Sequence, residues 1–214
     1  MDNTLFDFVA AKRHACCQVA EFLGRKDGEE LFEYFLHKEH GFENPENIRD
    51  YLIDRTCFSE EVFAECVRIY KREKLSVLVS YPRMHEILNE LRRKSMKLAV
   101  LTDAHRDNAL LRLEHLGLRQ YFDHVITADM TGTRKPAQEP FLLALRLLDV
   151  MPEETLLIGD SIRRDIAPGK TLGMITAYAR YGDRNLRTPS LCTPDIIFDS
   201  IQDMVDLLPF LDGE

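Results

Sequence analysis

The stretch Thr155-Leu-Leu-Ile-Gly-Asp-Ser-Ile-Arg-Arg-Asp165 decides the fold of this chain. Residues 155–158 suit a buried strand, and a helical pattern begins directly after Ser161. Asp160 therefore follows the carboxyl end of a strand, which is where open α/β sheets bind ligands. Asp165 lies about one helical turn beyond Ser161, so its side chain can point back at the same crevice. A simpler interpretation is also open, in which Asp160 or Ser161 only caps the helix.

Composition restricts the class of protein. The chain has 214 residues, 45% of them hydrophobic and 30% charged, which is typical of a soluble globular protein with a sizeable core. The net charge of −8 argues against nucleic acid or an anionic membrane as a partner. The five cysteines form no CxxC motif, and no apolar run approaches the roughly 18 residues of a membrane span. We expect a cytoplasmic protein, monomeric or homodimeric.

The segment of residues 9–78 carries helical signals only. Its apolar residues recur at i, i+3 and i+4, and glycines or prolines stand where helices would end or begin. Ser59 is typical of an N-cap because two glutamates follow it. The predicted helices cover residues 9–23, 29–40, 48–55 and 59–74. We therefore expect a small all-helical cap domain over 9–78, inserted near the start of the chain.

After Pro82, strands alternate with helices of about ten residues. Strands are predicted at 97–102, 124–128, 155–158, 175–179 and 195–198. Helices are predicted at 83–94, 106–116, 139–148 and 162–172, and a last one follows the strand at 195–198. This alternation predicts an α/β fold, a Rossmann-like parallel sheet with helices on both faces. The core domain would consist of residues 1–8 and 79–214.

Polar residues stand at the predicted strand ends. The chain opens with Asp2-Asn-Thr, Thr102 and Asp103 end a strand, Lys135 precedes a helix, and Asp160 stands in Gly-Asp-Ser. In this order the motifs resemble those of the haloacid dehalogenase superfamily, and within it the phosphatases. The family pattern is Asp-x-Asp-x-Thr, a Thr or Ser after a strand, a Lys before a helix, and Gly-Asp-Ser-x-x-x-Asp. Each motif alone is common by chance, but the order and spacing are specific, and the resemblance spans essentially the whole chain.

The resemblance implies a reaction and a role for each motif. An aspartate attacks phosphorus, and water hydrolyses the resulting aspartyl-phosphate. Asp2 would act as the general acid and base, protonating the leaving oxygen and later deprotonating the water. Thr102 would donate a hydrogen bond to a phosphate oxygen, and Lys135, a catalytic residue like Asp2, would pair with the phosphoryl group and the nucleophile. Asp103 and His105 follow Thr102 closely enough to border the substrate.

A magnesium ion is implied as well, because several anions in one crevice repel each other. Asp160 would bind the ion together with the backbone carbonyl of Asp2, and Asp165 would support them. Such hard oxygen ligands suit Mg²⁺.

The resemblance places the attacking aspartate directly before Met1, since Met1 occupies the middle of Asp-x-Asp. It also places the central strand of the sheet before that aspartate. Our expectation is that Met1 is an internal methionine of a longer protein. The alternative is a variant without the nucleophile, for example a binding protein that keeps the fold.

Other polar and aromatic residues have simpler explanations. Arg163 and Arg164 could steer an anion, but a solvated helix face is the default. His37 and His40 could bind a metal, although no partner carboxylate or cysteine stands out, and we expect scattered surface histidines. Aromatic residues of the cap could line a substrate pocket, but packing in the helical core is the default for their spacing; they are Tyr34, Phe35 and Tyr51.

These inferences predict a magnesium-dependent phosphatase of small phosphorylated metabolites, such as phosphoglycolate, glyceraldehyde 3-phosphate or sugar phosphates. The cap would close over the substrate and exclude water. Within the family, a phosphoglucomutase shares the metal site and stays open as an alternative. A dehalogenase is disfavoured, because it does not use the metal-binding aspartate of Gly-Asp-Ser.

Overall fold

The computed structural model describes residues 1–37, 39–184 and 192–211. The chain divides into two compact units, one of Met1–Asp7 with Val79–Glu214 and the other of Phe8–Leu78. We call them the α/β unit and the helical unit. Within the described residues, no helix combines the length and the apolar character that crossing a membrane requires.

The helical unit consists of four helices: α1 (Phe8–Phe22), α2 (Gly28–Leu36), α3 (Glu46–Asp54) and α4 (Glu60–Ser76). They match the four predicted segments apart from their ends. The largest difference is at α2, which ends before His37 instead of at His40. The backbone N–H of His37 is shared between the carbonyls of Glu33 and Tyr34, the tightened last turn that is common at helix ends.

Aromatic side chains fill the core of the helical unit. Phe35 and Tyr51 are buried, which confirms the prediction of core packing for these two residues, whereas Tyr34 is half-buried. The rings of Phe35 and Tyr70 stack with their centroids 5.0 Å apart. The ammonium group of Lys12 is also buried, 3.5 Å from the ring centroid of Phe42, where a cation–π contact offsets part of its desolvation.

The α/β unit contains five strands and six α-helices within its described residues. The strands are β1 (Ala99–Thr102), β2 (His124–Thr127), β3 (Leu156–Gly159), β4 (Ile175–Ala179) and β5 (Ile196–Phe198). The helices are α5 (Met84–Arg93), α6 (Arg106–His115), α7 (Ala128–Thr131), α8 (Glu139–Leu148), α9 (Ala167–Thr171) and α10 (Ile201–Leu207). All five predicted strands are present. The predicted helix at 162–172 is instead a π-helical turn, Ile162–Ile166, followed by α9.

All strand pairs are parallel, but they form two sheets, β1–β2 and β3–β4–β5. A single sheet would need a strand between β1 and β3. In the described parts of the chain, residues 1–7 form turns and two isolated bridges there, Asp2 with Phe6 and Phe6 with Ser80, and no ladder joins the two sheets. The α/β class is confirmed, and the continuous sheet is not seen in these residues.

Helices cover both faces of the β3–β4–β5 sheet, as the alternating side chains of β3 show. Leu156 and Ile158 pack in a cluster with Ile87 of α5 and Met204 of α10. Leu157 points the other way and packs with Phe141 of α8. This second cluster also includes Leu101 of β1, so α8 packs against both sheets.

The predicted N-cap at Ser59 gives a test of the helical unit. Its hydroxyl accepts a hydrogen bond of 3.2 Å from the backbone N–H of Val62. We expect Ser59→Ala to lower the free energy of unfolding by about 1 kcal/mol, because an orphan N–H at the start of α4 loses its acceptor. Urea denaturation would measure the change. Ser76→Ala, at the other end of α4, is the control and should shift the value by less than about 0.5 kcal/mol; equal effects would contradict the capping role.

Candidate active site

The carboxyl ends of β1 and β3 bring polar side chains to one edge of the α/β unit. Thr102 ends β1 and is buried, and its Oγ1 accepts a hydrogen bond of 3.2 Å from the N–H of Ala104. Asp160 follows β3 and is also buried. Its Oδ1 accepts a hydrogen bond of 2.9 Å from the hydroxyl of Thr4. The Asp-Asn-Thr opening and the Gly-Asp-Ser motif, far apart in sequence, therefore meet directly.

Asp165 occupies a place that only glycine at position 159 permits. A Cβ added to Gly159 would lie 2.4 Å from the Cβ of Asp165, closer than real Cβ atoms approach other atoms. The carboxylate is held from the other side by the N–H of Ser161, which donates to Oδ2 at 3.1 Å. The Ser161 hydroxyl in turn accepts from the N–H of Arg164 and caps the π-helical turn. Both interpretations of Gly-Asp-Ser, cap and crevice, thus hold for different residues of the motif.

Lys135 and Asp165 form a buried ion pair. The ammonium Nζ lies 2.5 Å from Oδ1 of Asp165 and also donates to the carbonyl of Leu101 at 3.4 Å. Burial works to lower the pKa of Lys135, but the nearby charges of Asp165 and Asp103 outweigh it and raise that pKa. Burial alone would raise the pKa of Asp165, yet Lys135 lowers it. The pair therefore stays ionised in the crevice.

Asp103 fixes the loop that carries Lys135. Its Oδ1 accepts a hydrogen bond of 2.9 Å from the backbone N–H of Lys135, and its Oδ2 lies 3.5 Å from a guanidinium nitrogen of Arg164. The side chain thus contacts the Lys135 loop, which fits a positioning role. The expected solvated face holds for Arg163, which is exposed, whereas Arg164 is half-buried and faces Asp103.

Asp160 is the group best suited to a cation. Its Oδ2 is buried and has no hydrogen-bond partner among the described residues. Burial first, and then the charge of Asp165, raise the pKa of Asp160. A bound cation would satisfy this oxygen and favour the ionised form, since hard cations take carboxylate oxygens. The residues present therefore fit a magnesium ion, with Asp160 as the direct ligand and Asp165 as a neighbour whose two oxygens already accept protein hydrogen bonds.

The carboxylate of Asp2 is held by an arginine that sequence reasoning missed. The guanidinium of Arg112 in α6 is buried and donates to both oxygens of Asp2 at 3.0 Å. A signal for it existed in the sequence. Arg112 lies three residues after Ala109 and next to Leu113, both buried, so it interrupts an apolar helix face. A buried arginine requires an anionic or polar partner.

The backbone at Met1 reaches the same crevice. Its amino group is buried and interacts electrostatically with Lys135, Asp2, Asp160 and Asp165. Burial, and then the charge of Lys135, lower the pKa of this amino group. A residue joined to it by a peptide bond would begin about 1.3 Å from the nitrogen. Such a residue would begin within electrostatic range of the ion pair and Asp160.

Gly159→Ala tests the close approach of Asp165. The added methyl group must displace the aspartate, so we expect the free energy of unfolding to fall by about 1–3 kcal/mol. Thermal and urea unfolding would measure this. Gly24→Asn is the control, because position 24 has a φ of +70° that asparagine tolerates and no atom within 4 Å of an added Cβ. An unchanged stability for Gly159→Ala would show that Asp165 does not occupy this place.

Lys135→Met tests the ion pair. It keeps much of the side-chain volume but leaves the buried Asp165 without a countercharge, so we expect a loss of about 3–5 kcal/mol in the free energy of unfolding. The double variant Lys135→Met with Asp165→Asn removes both charges and should recover most of that loss. Urea denaturation of the three proteins gives the comparison. A double variant as unstable as Lys135→Met would mean that Lys135 contributes through packing.

Comparison with known proteins relates the chain to one family. The model of the haloacid dehalogenase-like hydrolases matches residues 1–179. A glyceraldehyde 3-phosphate phosphatase of Methanocaldococcus jannaschii is 32% identical over 154 residues, 71% of this chain and 66% of that protein. The pyrophosphatase PpaX of Bacillus mycoides is 31% identical over 154 residues, 72% of this chain and 71% of that protein. The matches thus span about two thirds of these relatives.

Two solved structures share the fold. A putative beta-phosphoglucomutase from Thermotoga maritima superposes with a TM-score of 0.80 at 24% identity, covering 99% of this chain and 96% of that one. A putative hydrolase of the same superfamily, YfnB from Bacillus subtilis bound to magnesium, gives a TM-score of 0.73 at 20% identity, covering 98% of this chain and 96% of that one. At such identities the likeness concerns the fold alone.

Proposed function

The chain belongs to the haloacid dehalogenase-like hydrolase family, and from this premise we propose that it is a phosphatase acting on small phosphorylated metabolites. One observation carries the proposal. The buried pair of Lys135 and Asp165 lies at the same sheet edge as Asp160, whose Oδ2 has no hydrogen-bond partner within the described residues. A fixed cation beside an unsatisfied carboxylate oxygen suits a phosphate ester together with a metal ion.

Two side chains would hold the phosphoryl group. A lysine ammonium has three donors, and Lys135 directs two of them at Asp165 and the carbonyl of Leu101. The third can donate to a phosphate oxygen. The Thr102 hydroxyl is fixed because it accepts a hydrogen bond from the N–H of Ala104. Its own proton can be donated to a second phosphate oxygen. Because both groups are buried, their charge and dipole act with little screening by water.

The reaction would proceed in two displacements. The carboxylate of an aspartate placed directly before Met1, the position that the resemblance gives the nucleophile, would attack phosphorus. The ester P–O bond would break, and Asp2 would give its proton to the leaving oxygen. Water would then attack phosphorus in the aspartyl-phosphate while Asp2 takes a proton from that water; the bond from phosphorus to the aspartate oxygen breaks, which releases inorganic phosphate and restores the carboxylate. Asp2 accepts two hydrogen bonds from Arg112 in the structure. It would therefore have to exchange this partner for the substrate during the cycle.

A magnesium ion, when bound at Asp160, would neutralise charge on the phosphoryl group. This chain's own contribution is to present Oδ2 of Asp160, oriented by the hydrogen bond from Thr4 to Oδ1. Lys135 neutralises the charge of Asp165, so the Asp165 carboxylate repels an anionic substrate less than it would alone. The fit of Asp160 to a cation supports magnesium as the cofactor.

The names of the relatives suggest a range of substrates. One is a glyceraldehyde 3-phosphate phosphatase, which favours a small phosphorylated aldehyde, acid or sugar. The other is a pyrophosphatase, which makes inorganic pyrophosphate the second candidate. Release of phosphate from a panel of both classes separates them. Transfer of phosphate within a hexose phosphate would indicate a mutase, and no turnover of any ester would favour a binding protein. The cytoplasmic location and the oligomeric state stay predictions.

Asp160→Asn tests the metal and the reaction together. The change keeps the shape but removes a charge from the proposed magnesium site, so hydrolysis of p-nitrophenyl phosphate should fall at least about 100-fold. Calorimetry should show the same variant losing Mg²⁺ affinity. Asp107→Asn, an exposed carboxylate in α6, is the matched control and should leave both values unchanged.

The activity assays use two forms of the protein. One is the 214-residue chain, and the other carries an apolar strand and an aspartate before Met1. We expect turnover from the longer form only, lost again when the added aspartate is changed to asparagine. Hydrolysis by the shorter form would refute the assigned nucleophile. Full activity of Asp160→Asn, or activity that persists in excess chelator, would refute the metal assignment.

A further inference from the structure

The helical unit carries a second cluster of possible metal ligands, which the proposed phosphatase reaction does not use. Nε2 of His40 lies 2.7 Å from Oδ2 of Asp50 in α3. A carboxylate oxygen of Glu39 completes the group, and the three ligand atoms lie within 4.8 Å of one another. The sequence suggested isolated surface histidines because no carboxylate partner stood out. The fold supplies one by bringing α3 against the segment that follows α2.

The surroundings of this cluster are strongly acidic. It opens into a cavity of about 540 Å³ lined by three carboxylates, Glu39, Asp50 and Asp54, and by the imidazoles of His37 and His40. Among the described residues that line the cavity there is no lysine or arginine. The charges of these three carboxylates create a negative potential that attracts positive charge. A cation is therefore the ligand that this cavity suits.

We propose that Glu39, His40 and Asp50 bind a divalent transition metal of the zinc class. An imidazole together with carboxylates suits zinc, nickel or copper, whereas Mg²⁺ prefers oxygen ligands and retains its water. Ligands about 2.1 Å from a tetrahedral zinc ion stand roughly 3.4 Å apart. The His40 and Asp50 atoms lie 2.7 Å apart, and all three ligand atoms lie within 4.8 Å of one another. Small side-chain movements would open the present His40–Asp50 contact around the ion.

The site would connect two parts of the helical unit. Asp50 lies within α3, while Glu39 and His40 lie in the segment between α2 and α3. An ion bound to all three would fix this segment on α3 and stabilise the folded helical unit, because it binds the folded state and not the unfolded chain. This role is independent of phosphate chemistry. A failure of the zinc proposal would therefore leave the proposed phosphatase function untouched, and the reverse also holds.

Calorimetric titration of the full chain with zinc chloride tests the proposal. Excess Mg²⁺ in the buffer occupies sites made of oxygen ligands alone. We expect one zinc ion per chain, and an affinity at least about tenfold weaker in His40→Ala and in Asp50→Asn. Zinc should also raise the melting temperature of the wild-type protein and not that of His40→Ala. Circular dichroism establishes that each variant is folded.

His115→Ala is the matched control, since it removes an exposed histidine at the end of α6 in the other unit. It should bind zinc as the wild type does. Equal weakening in His40→Ala and His115→Ala, or no saturable binding to the wild type, would overturn the proposal. The chain also has free cysteines. A sulfur-to-metal charge-transfer band after substitution with Co²⁺ would therefore place the ion on thiolates instead and equally overturn it.

Discussion

The ion pair between Lys135 and Asp165 is the interaction on which the candidate site depends. The side chains of Lys135 and Asp165 are only 9% and 5% exposed, so neither charge is stable without the other. Lys135 comes from the loop before α8 and Asp165 from the turn after β3. Lys135 also donates to the carbonyl of Leu101 in β1. A single ammonium group therefore ties together three segments, of which one is β1 of the first sheet and another follows β3 of the second.

The first residues of the chain add a second connection across the two sheets. Asp2 is bound by Arg112 in α6, which follows β1, while Thr4 donates to Asp160 after β3. Gly182 also lies against this segment, because an added Cβ there would lie 1.7 Å from the carbonyl oxygen of Asn3. Polar contacts thus do at this place what a backbone ladder does elsewhere in the unit. They fix Asp160 with one oxygen satisfied and the other available to a cation.

Several features of the site could be predicted from sequence because they follow from periodicity. A buried strand followed by Gly-Asp-Ser placed Asp160 at a strand end, and Thr102 and Lys135 were assigned to the same edge by resemblance. The structure brings these residues together. The prediction that Asp165 points back at the crevice assumed one α-helical turn after Ser161. Asp165 does reach the crevice, although the turn is π-helical. The resemblance placed the central strand of the sheet before Met1, and the described residues form two sheets with no strand between β1 and β3.

The sequence by itself determined the order of helices and strands, the two-unit division of the chain and the identity of the motif residues. Hydrophobic periodicity and residue order are local properties of the sequence, so they can be identified without knowing which residues are in contact. Only the tertiary structure decided the partners: Arg112 for Asp2, the Lys135 amide for Asp103, and Asp50 for His40. These contacts depend on side-chain direction and on packing between elements distant in sequence, which periodicity does not encode. The charge and burial that result from these contacts then determine the chemical role of each side chain.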